Sequence, residues 1–467
     1  MNKWILIVFL LSVFFVSFLP VKDTDFGWHY RCGKQFFDQK SLCTKNEFSY
    51  FLPNYRSSNP SLFYNIILAL TFDRFGFTGV GILGSIIFTL SALLFVKLIR
   101  AKRLLAITGF FLSSFLSYST FALGLRSQII TYFFFLLALY LVEVSRKNKF
   151  YLAFFPLLFL FWVNTHIGFF LGPIILGFYF IDLLLKKEKI IIYVLLIMVV
   201  SFLTSLINPF GIRVFQEIVN HALSPLNNMI AEWVAPPSWQ ILFIVLLTAV
   251  GVISATKKKS LFFFFLIIFF SFLGLKARRN LPFFYTTFFY VFLNGPYPVS
   301  FFSQRKFIEA VDFISLPLLV SLMAFLLIVQ LPKTVQFNYS WQNYCRTGLV
   351  TYPCQALKNF PSLSGNVYNA YEWGGFLIWQ KPQIKVFVDG RMPAWKDENG
   401  KSPYQVYLEI IQTQPGWNEK LNQLKTNYLL IQNGTFLDLL LEKEHDKYGW
   451  QEKYRDKTAA IYKNTNF

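Results

Sequence analysis

Trp4-Ile-Leu-Ile-Val-Phe-Leu-Leu-Ser-Val-Phe-Phe-Val-Ser-Phe-Leu-Pro20 runs, after Val21 and Lys22, into Asp23-Thr-Asp-Phe-Gly-Trp-His-Tyr-Arg-Cys-Gly33. A membrane-length apolar run thus leads directly into a segment holding two acids, a histidine and an arginine. No small-x-small cleavage pattern lies near Val16 to Pro20, so the run reads as an uncleaved first helix rather than a signal peptide.

The rest of the chain agrees with a membrane setting. Hydrophobic residues make up 55% of it, charged residues 15%, and Phe alone appears 58 times, more apolar content than a soluble core needs. A formal charge of +20 invites a nucleic-acid reading. The Lys and Arg residues fall between apolar runs, however, and not along one aromatic-interleaved face, so the charge reads as membrane topology. The basic clusters Lys97 to Arg103, Arg146 to Lys149, Lys186 to Lys189, Lys257 to Lys259 and Arg305 to Lys306 agree with one another if all lie inside. That places the N-terminus in the cytoplasm and the Asp23 loop, residues 21–59, outside.

The apolar stretch Leu62 to Phe72 is short for a crossing. Counting it as one would put Lys97, Arg100, Lys102 and Arg103 outside, so it reads as interfacial or re-entrant. Further spans are expected at 78–97, 104–123, 127–143, 150–164, 168–185, 190–207, 239–255, 260–275, 281–295 and 312–331. With the first helix this makes about eleven; several runs are nearer 15 residues than the roughly 20 a bilayer requires, which gives a range of about ten to thirteen. The expected fold is a polytopic α-helical membrane domain, 1–331, followed by a C-terminal extracytoplasmic α/β domain, 332–467. In the latter, strands at 384–388, 428–431 and 458–462 alternate with helices at 404–411, 417–425 and 435–444.

Cys32 and Cys43 lie in the first outer loop, and Cys345 and Cys354 at the start of the outer domain. Two local disulfides in an oxidising compartment are expected; neither spacing fits a common zinc pattern.

No uncompensated charge stands in mid-span, which argues against an ion relay through the membrane. Polar groups gather at outer span ends instead: Arg126 with Gln128, Asn164 with His166, Asn208, Glu232 with Trp233, and Lys276 with Arg278, Arg279 and Asn280. The last cluster breaks the positive-inside rule. Either it meets phosphate at the membrane surface, where Arg matches phosphate oxygens in a bidentate fork, or it snorkels to lipid headgroups. The Asp23-x-Asp25 pair has two readings as well. It supplies a base or holds a divalent metal such as Mg or Mn, or its acids cap the helix that starts near Gly27. Trp28, His29 and His166 at such boundaries serve either a cavity or local packing.

Together, the acidic first outer loop, the many spans, the basic outer cluster and the outer α/β domain resemble the GT-C superfamily of integral-membrane glycosyltransferases. Asp23 to Gly33, Trp162-Val-Asn-Thr-His-Ile-Gly168 and Asn208-Pro-Phe-Gly211 are similar to a bacterial branch of it. Asn369-Ala-Tyr-Glu-Trp-Gly-Gly375 and Val386-Phe-Val-Asp-Gly-Arg391 fit the same branch. There is a distant resemblance to protein mannosyltransferases and to the Trp-Trp-Asp-Tyr-Gly segment of oligosaccharyltransferases. Glu372 here stands where that segment has an aromatic-flanked Asp.

The resemblance implies a polyprenyl-phosphate sugar donor in the cytoplasmic membrane. It implies transfer of a hexosyl or pentosyl group to a glycan, lipid or protein acceptor outside. On this reading Asp25, or Asp23, is the catalytic carboxylate that takes the acceptor's proton, with Asp25 preferred for its offset to Gly33. Arg278, Arg279 and Arg126 meet the donor phosphate. Trp28, His29, Asn164, His166, Glu232 and Trp233 line the cavity, and Glu372, Trp373, Asp389 and Arg391 form the outer-domain motif. The rivals are a lipid or polysaccharide transporter or flippase, which should show broken or charged midplane helices, and a non-catalytic envelope assembly protein.

Overall fold

The structure is a computed structural model. It describes residues 3–58, 60–99, 103–223, 230–295, Ile328, Cys345 and 350–467. The expected span at 312–331 and the expected domain boundary near 332 lie outside the described residues, apart from Ile328. The chain divides into two compact units: residues 1–20, 78–211 and 225–337 form one, and 21–77, 212–224 and 338–467 the other.

The first unit is helical. It begins with α1 (Lys3–Val16) and includes helices Arg103–Leu116, Ser127–Ser145, Phe155–Val163, Leu171–Leu185, Ile191–Ser205, Ser238–Lys257, Leu261–Lys276 and Leu281–Asn294. Among the described residues four helices are long and apolar enough to cross a membrane: Leu62–Leu98, Ser127–Ser145, Ile167–Leu185 and Ser238–Lys257. Five shorter apolar helices accompany them. The abundant Phe residues fill the space between helices by edge-to-face contact, as in Phe9 with Phe110 and Phe111, and Phe135 with Phe270 and Phe283. Buried carboxylates here are answered locally. Asp182 binds Lys186 at 2.8 Å and accepts from the Leu261 amide at the start of a neighbouring helix, and Glu143 accepts from Tyr290 at 3.0 Å.

Two of the expected segments, 62–72 and 78–97, lie in one element, α3 (Leu62–Leu98), which is interrupted at Gly76. There φ is 59° and ψ −157°, a conformation that glycine adopts without steric cost. The segment expected at 104–123 stops as a continuous helix at Leu116, and a separate turn of helix follows at Tyr118–Phe121.

The second unit is built on a five-stranded sheet: β1 (Gly365–Asn369), β2 (Ile384–Val386), β3 (Tyr428–Gln432), β4 (Trp450–Arg455) and β5 (Ala459–Asn464). Their spatial order is β2-β1-β3-β5-β4. β1 is parallel to β2 and β3, while β5 is antiparallel to β3 and β4. Strands β1 and β4 and the helices Cys354–Asn359 and Gly374–Gln380 were not among the expected elements. The first loop joins this sheet. Ser49 bridges Val386 in parallel register, with Tyr50 N to Val386 O at 3.2 Å and Val386 N to Phe48 O at 3.0 Å, so residues 48–50 cover the free edge of β2. Both expected disulfides are present, Cys32–Cys43 and Cys345–Cys354, with Cα atoms 5.5 and 6.1 Å apart.

Candidate functional site

In the second unit the acids sit at the start of α2 (Phe26–Gln39). Asp23 is buried, and its Oδ1 accepts the Asp25 amide at 3.3 Å, a local Asx turn that sets the entry to the helix. Asp25 occupies the N-cap position, but its side chain makes no capping hydrogen bond. The two acids therefore have different occupations: Asp23 shapes the turn and Asp25 directs its carboxylate elsewhere.

That direction is toward the second motif. A Cβ built at Gly390 would overlap Asp25 Oδ1. One at Gly375 would overlap the Thr24 carbonyl, and one at Gly27 would stand 2.6 Å from the Gly375 carbonyl carbon. One at Gly374 would stand 2.7 Å from Asp389 Cα. Four glycines thus let backbone segments 24–27, 374–375 and 388–390 approach without side chains between them, and the Asp25 carboxylate lies against that meeting point.

Tyr371 heads the short 3₁₀ turn Tyr371–Trp373, which leads into Gly374, and it feels the charge of Asp25. Burial raises its phenol well above the usual tyrosine range, and Asp25, Tyr404, Asp389 and Glu372 add to the rise. It is a neutral hydroxyl among carboxylates. Sequence reasoning passed over Tyr371 and Gly390, although both lie inside the two segments it singled out.

Asp389 and Arg391 form a buried pair, with Nε to Oδ1 at 2.8 Å and Nη2 to Oδ2 at 2.7 Å. The guanidinium also donates to Asn46 at 3.3 Å and lies 5.0 and 5.3 Å from the ring centres of Phe48 and Trp395. Asn369 holds the preceding residues, accepting from the Phe387 amide at 2.8 Å and donating to the Val388 carbonyl at 2.9 Å. Trp373 is fully buried and donates to the Thr351 carbonyl at 3.0 Å. His29 Nδ1 lies 2.5 Å from Asn65 Oδ1, and its ring stacks on Trp28. The Trp28 indole N–H is buried and finds no partner among the described residues.

The basic groups belong to the first unit. Arg126 Nη1 is 2.5 Å from Glu232 Oε1, and the Arg279 guanidinium lies 4.4 Å from the Trp233 ring centre. The turn carrying Glu232 is fixed by its own carbonyls: the Arg279 amide donates to Glu232 O at 3.1 Å and the Arg278 amide to Val234 O at 3.0 Å. Gln128 donates to the Arg279 carbonyl at 3.0 Å. Burial opposes the Glu232 charge, but the attraction and hydrogen bond of Arg126, with Arg279, outweigh it and hold the carboxyl below its usual value. Arg278 is exposed, its Nε 3.4 Å from the Ala235 carbonyl. Arg126, Glu232, Trp233, Arg278 and Arg279 thus form one assembly.

Asn164 and His166 are engaged otherwise. Asn164 ties Leu160 to Ile207 through their carbonyls at 2.9 and 2.8 Å. His166 Nδ1 accepts from the Gly168 amide at 3.1 Å, capping the 3₁₀ turn Ile167–Phe170, and meets Thr131 at 2.8 Å. Among the described residues no three His, Cys, Asp or Glu side chains gather to hold a metal ion.

No family model and no curated protein matches the chain. Solved structures do. The apo oligosaccharyltransferase of Archaeoglobus fulgidus is similar over 100% of this chain and 75% of its own, with a TM-score of 0.57 and 13% identity. The same organism's AglB, in complex with an inhibitory peptide and a dolichol-phosphate, covers 99% and 74% with a TM-score of 0.56 and 13% identity. ArnT from Cupriavidus metallidurans bound to undecaprenyl phosphate covers 98% and 97%, with a TM-score of 0.52 and 12% identity. A further A. fulgidus oligosaccharyltransferase structure is a complex with Zn and sulfate. These neighbours are GT-C glycosyltransferases, and the chain has their fold.

Proposed function

We propose that the chain is an integral-membrane glycosyltransferase that moves a sugar from a polyprenyl-phosphate-linked donor to an acceptor on the outer face of the membrane. The observation that carries this reading is the Asp25 carboxylate. It stands at a helix start without capping it and lies in a glycine-lined cradle beside a neutral phenol. The shared fold supports the reading, because neighbours with that fold hold dolichol-phosphate and undecaprenyl phosphate. The proposal keeps about eleven crossings, residues 1–331 as membrane domain and 332–467 as extracytoplasmic domain.

In the reaction an acceptor hydroxyl attacks the anomeric carbon while the bond from that carbon to the phosphate oxygen breaks. Asp25 accepts the hydroxyl proton and polyprenyl phosphate departs. Asp25 takes this part rather than Asp23, whose carboxylate is committed to the Asp25 amide. The donor phosphate is assigned to Arg278 and Arg279, supported by Arg126, since guanidinium donors fit phosphate oxygens both before and during bond cleavage.

The test uses the full chain in detergent and undecaprenyl-phosphate-linked sugars extracted from source membranes, with release of undecaprenyl phosphate as readout. Asp25→Asn keeps size and removes the base, so turnover falls by about 10²-fold or more with folding retained. Arg278→Ala raises the donor KM more than it lowers kcat, because its partner is charged in the ground state. Full turnover in Asp25→Asn defeats the base assignment.

A further inference from the structure

No residue of the Val386-Phe-Val-Asp-Gly-Arg391 segment is given a chemical step above, yet the segment is held by a buried ion pair. Arg391 grips Asp389 through two hydrogen bonds at 2.7 and 2.8 Å, and its own amide returns to Asp389 Oδ1 at 3.0 Å. Asp389 is fully buried. The side chains on either side of Gly390 are therefore locked to each other, and the residue between them has no freedom to drift. It is against this residue that the Asp25 carboxylate lies.

We infer that Gly390, held by the Asp389–Arg391 clamp, is the positioning element that sets the direction of the Asp25 carboxylate. The inference rests on Asp25 being the base. A Cβ at 390 would occupy the volume now filled by Asp25 Oδ1, so any larger residue turns the carboxylate away. Gly390 does not have a positive φ, so alanine there brings no backbone strain. The obstacle is the tip of one rotatable side chain. At Gly27, Gly374 and Gly375, by contrast, the overlap is with backbone atoms. Gly390→Ala therefore displaces Asp25 while leaving the fold intact, and it separates position from presence.

The experiment compares the full-length wild type, Gly390→Ala, Asp25→Asn and the double variant in detergent, with undecaprenyl-phosphate-linked sugars as the probe. Gly390→Ala keeps the wild-type elution profile and thermal midpoint. Its kcat falls by about 10²-fold, the cost of a displacement near 1 Å at a reacting group, while the donor KM stays unchanged. The acidic limb of its kcat–pH profile moves, because the turned carboxylate has new neighbours. In the Asp25→Asn background Gly390→Ala costs nothing further, as expected when one residue acts only through the other. Arg391→Lys, which keeps the charge and loses the fork, lowers kcat in the same direction and also only when Asp25 is present. Wild-type kcat in Gly390→Ala, or the same fold-loss in both backgrounds, overturns the inference while the base assignment stands. Full turnover in Asp25→Asn removes the base assignment and this inference with it.

Discussion

Truncating Arg391 to Ala tests how much of the second unit hangs on one buried charge pair. The side chain is 5% exposed and its partner Asp389 0%, so no solvent stands ready to receive the carboxylate once the guanidinium is gone. What remains for Asp389 is the backbone amide of residue 391 at 3.0 Å. Breaking a buried pair from one side costs about 3–5 kcal/mol, because the other charge is left uncompensated. The lost contacts to Phe48 and Trp395 add to the loss. In a body of this size such a loss lowers the thermal midpoint by roughly 6–20 °C. Tryptophan emission of the full chain in detergent follows the transition, with buried Trp395 and Trp373 reporting from the unit concerned. Since the chain has two units, the local midpoint is the quantity to compare rather than a global free energy. Asp389→Asn with Arg391→Met removes both charges and should recover more than half of the loss. A shift below about 2 °C in Arg391→Ala, or a double variant less stable than the single one, refutes the reasoning.

Three other outcomes are expected. Glu232 has a folded pKa below its unfolded value, so its pairing with Arg126 stabilises the fold above pH 4.5 and is lost as pH falls through the lowered value. Unfolding midpoints between pH 6 and the acid range, in wild type and Glu232→Gln, check this: the variant should show the weaker acid dependence, and parallel curves would refute it. An enzyme reporter fused after Phe467 should be active only outside the cytoplasm, and non-reducing digestion should recover Cys32 linked to Cys43 and Cys345 to Cys354. Reporter activity inside, or four free thiols, would refute that sidedness.

Most of the apolar helices were legible as long apolar runs between charged clusters, a pattern that needs no knowledge of neighbours, whereas the joining of 62–72 and 78–97 into one kinked element was not. Strands β2, β3 and β5 were legible as short segments centred on apolar residues, such as Leu429-Leu-Ile431 and Ala459-Ala-Ile461, with Lys385 the polar interruption in β2. β1 opens on Gly365-Asn366 and β4 reads Trp-Gln-Glu-Lys-Tyr-Arg, polar because it lies at an exposed edge, and neither carries a strand signal of its own. At the site, the Asp23 loop and the 386–391 segment each stood out. Their meeting did not, since it is made by glycines from distant parts of the chain whose only signal is the lack of a side chain.

The strand-like addition of residues 48–50 to β2 also has a bearing on how the chain is made. Ser49 and its partner Phe387 are 338 residues apart, so at ribosomal rates the loop waits about 20–70 s for the edge it covers. During that interval Asp25 has left the ribosome but Gly390 has not. The Asp25 carboxylate therefore gains its setting against Gly390 only after the 386–391 segment has been made, when more than four fifths of the chain is already synthesised.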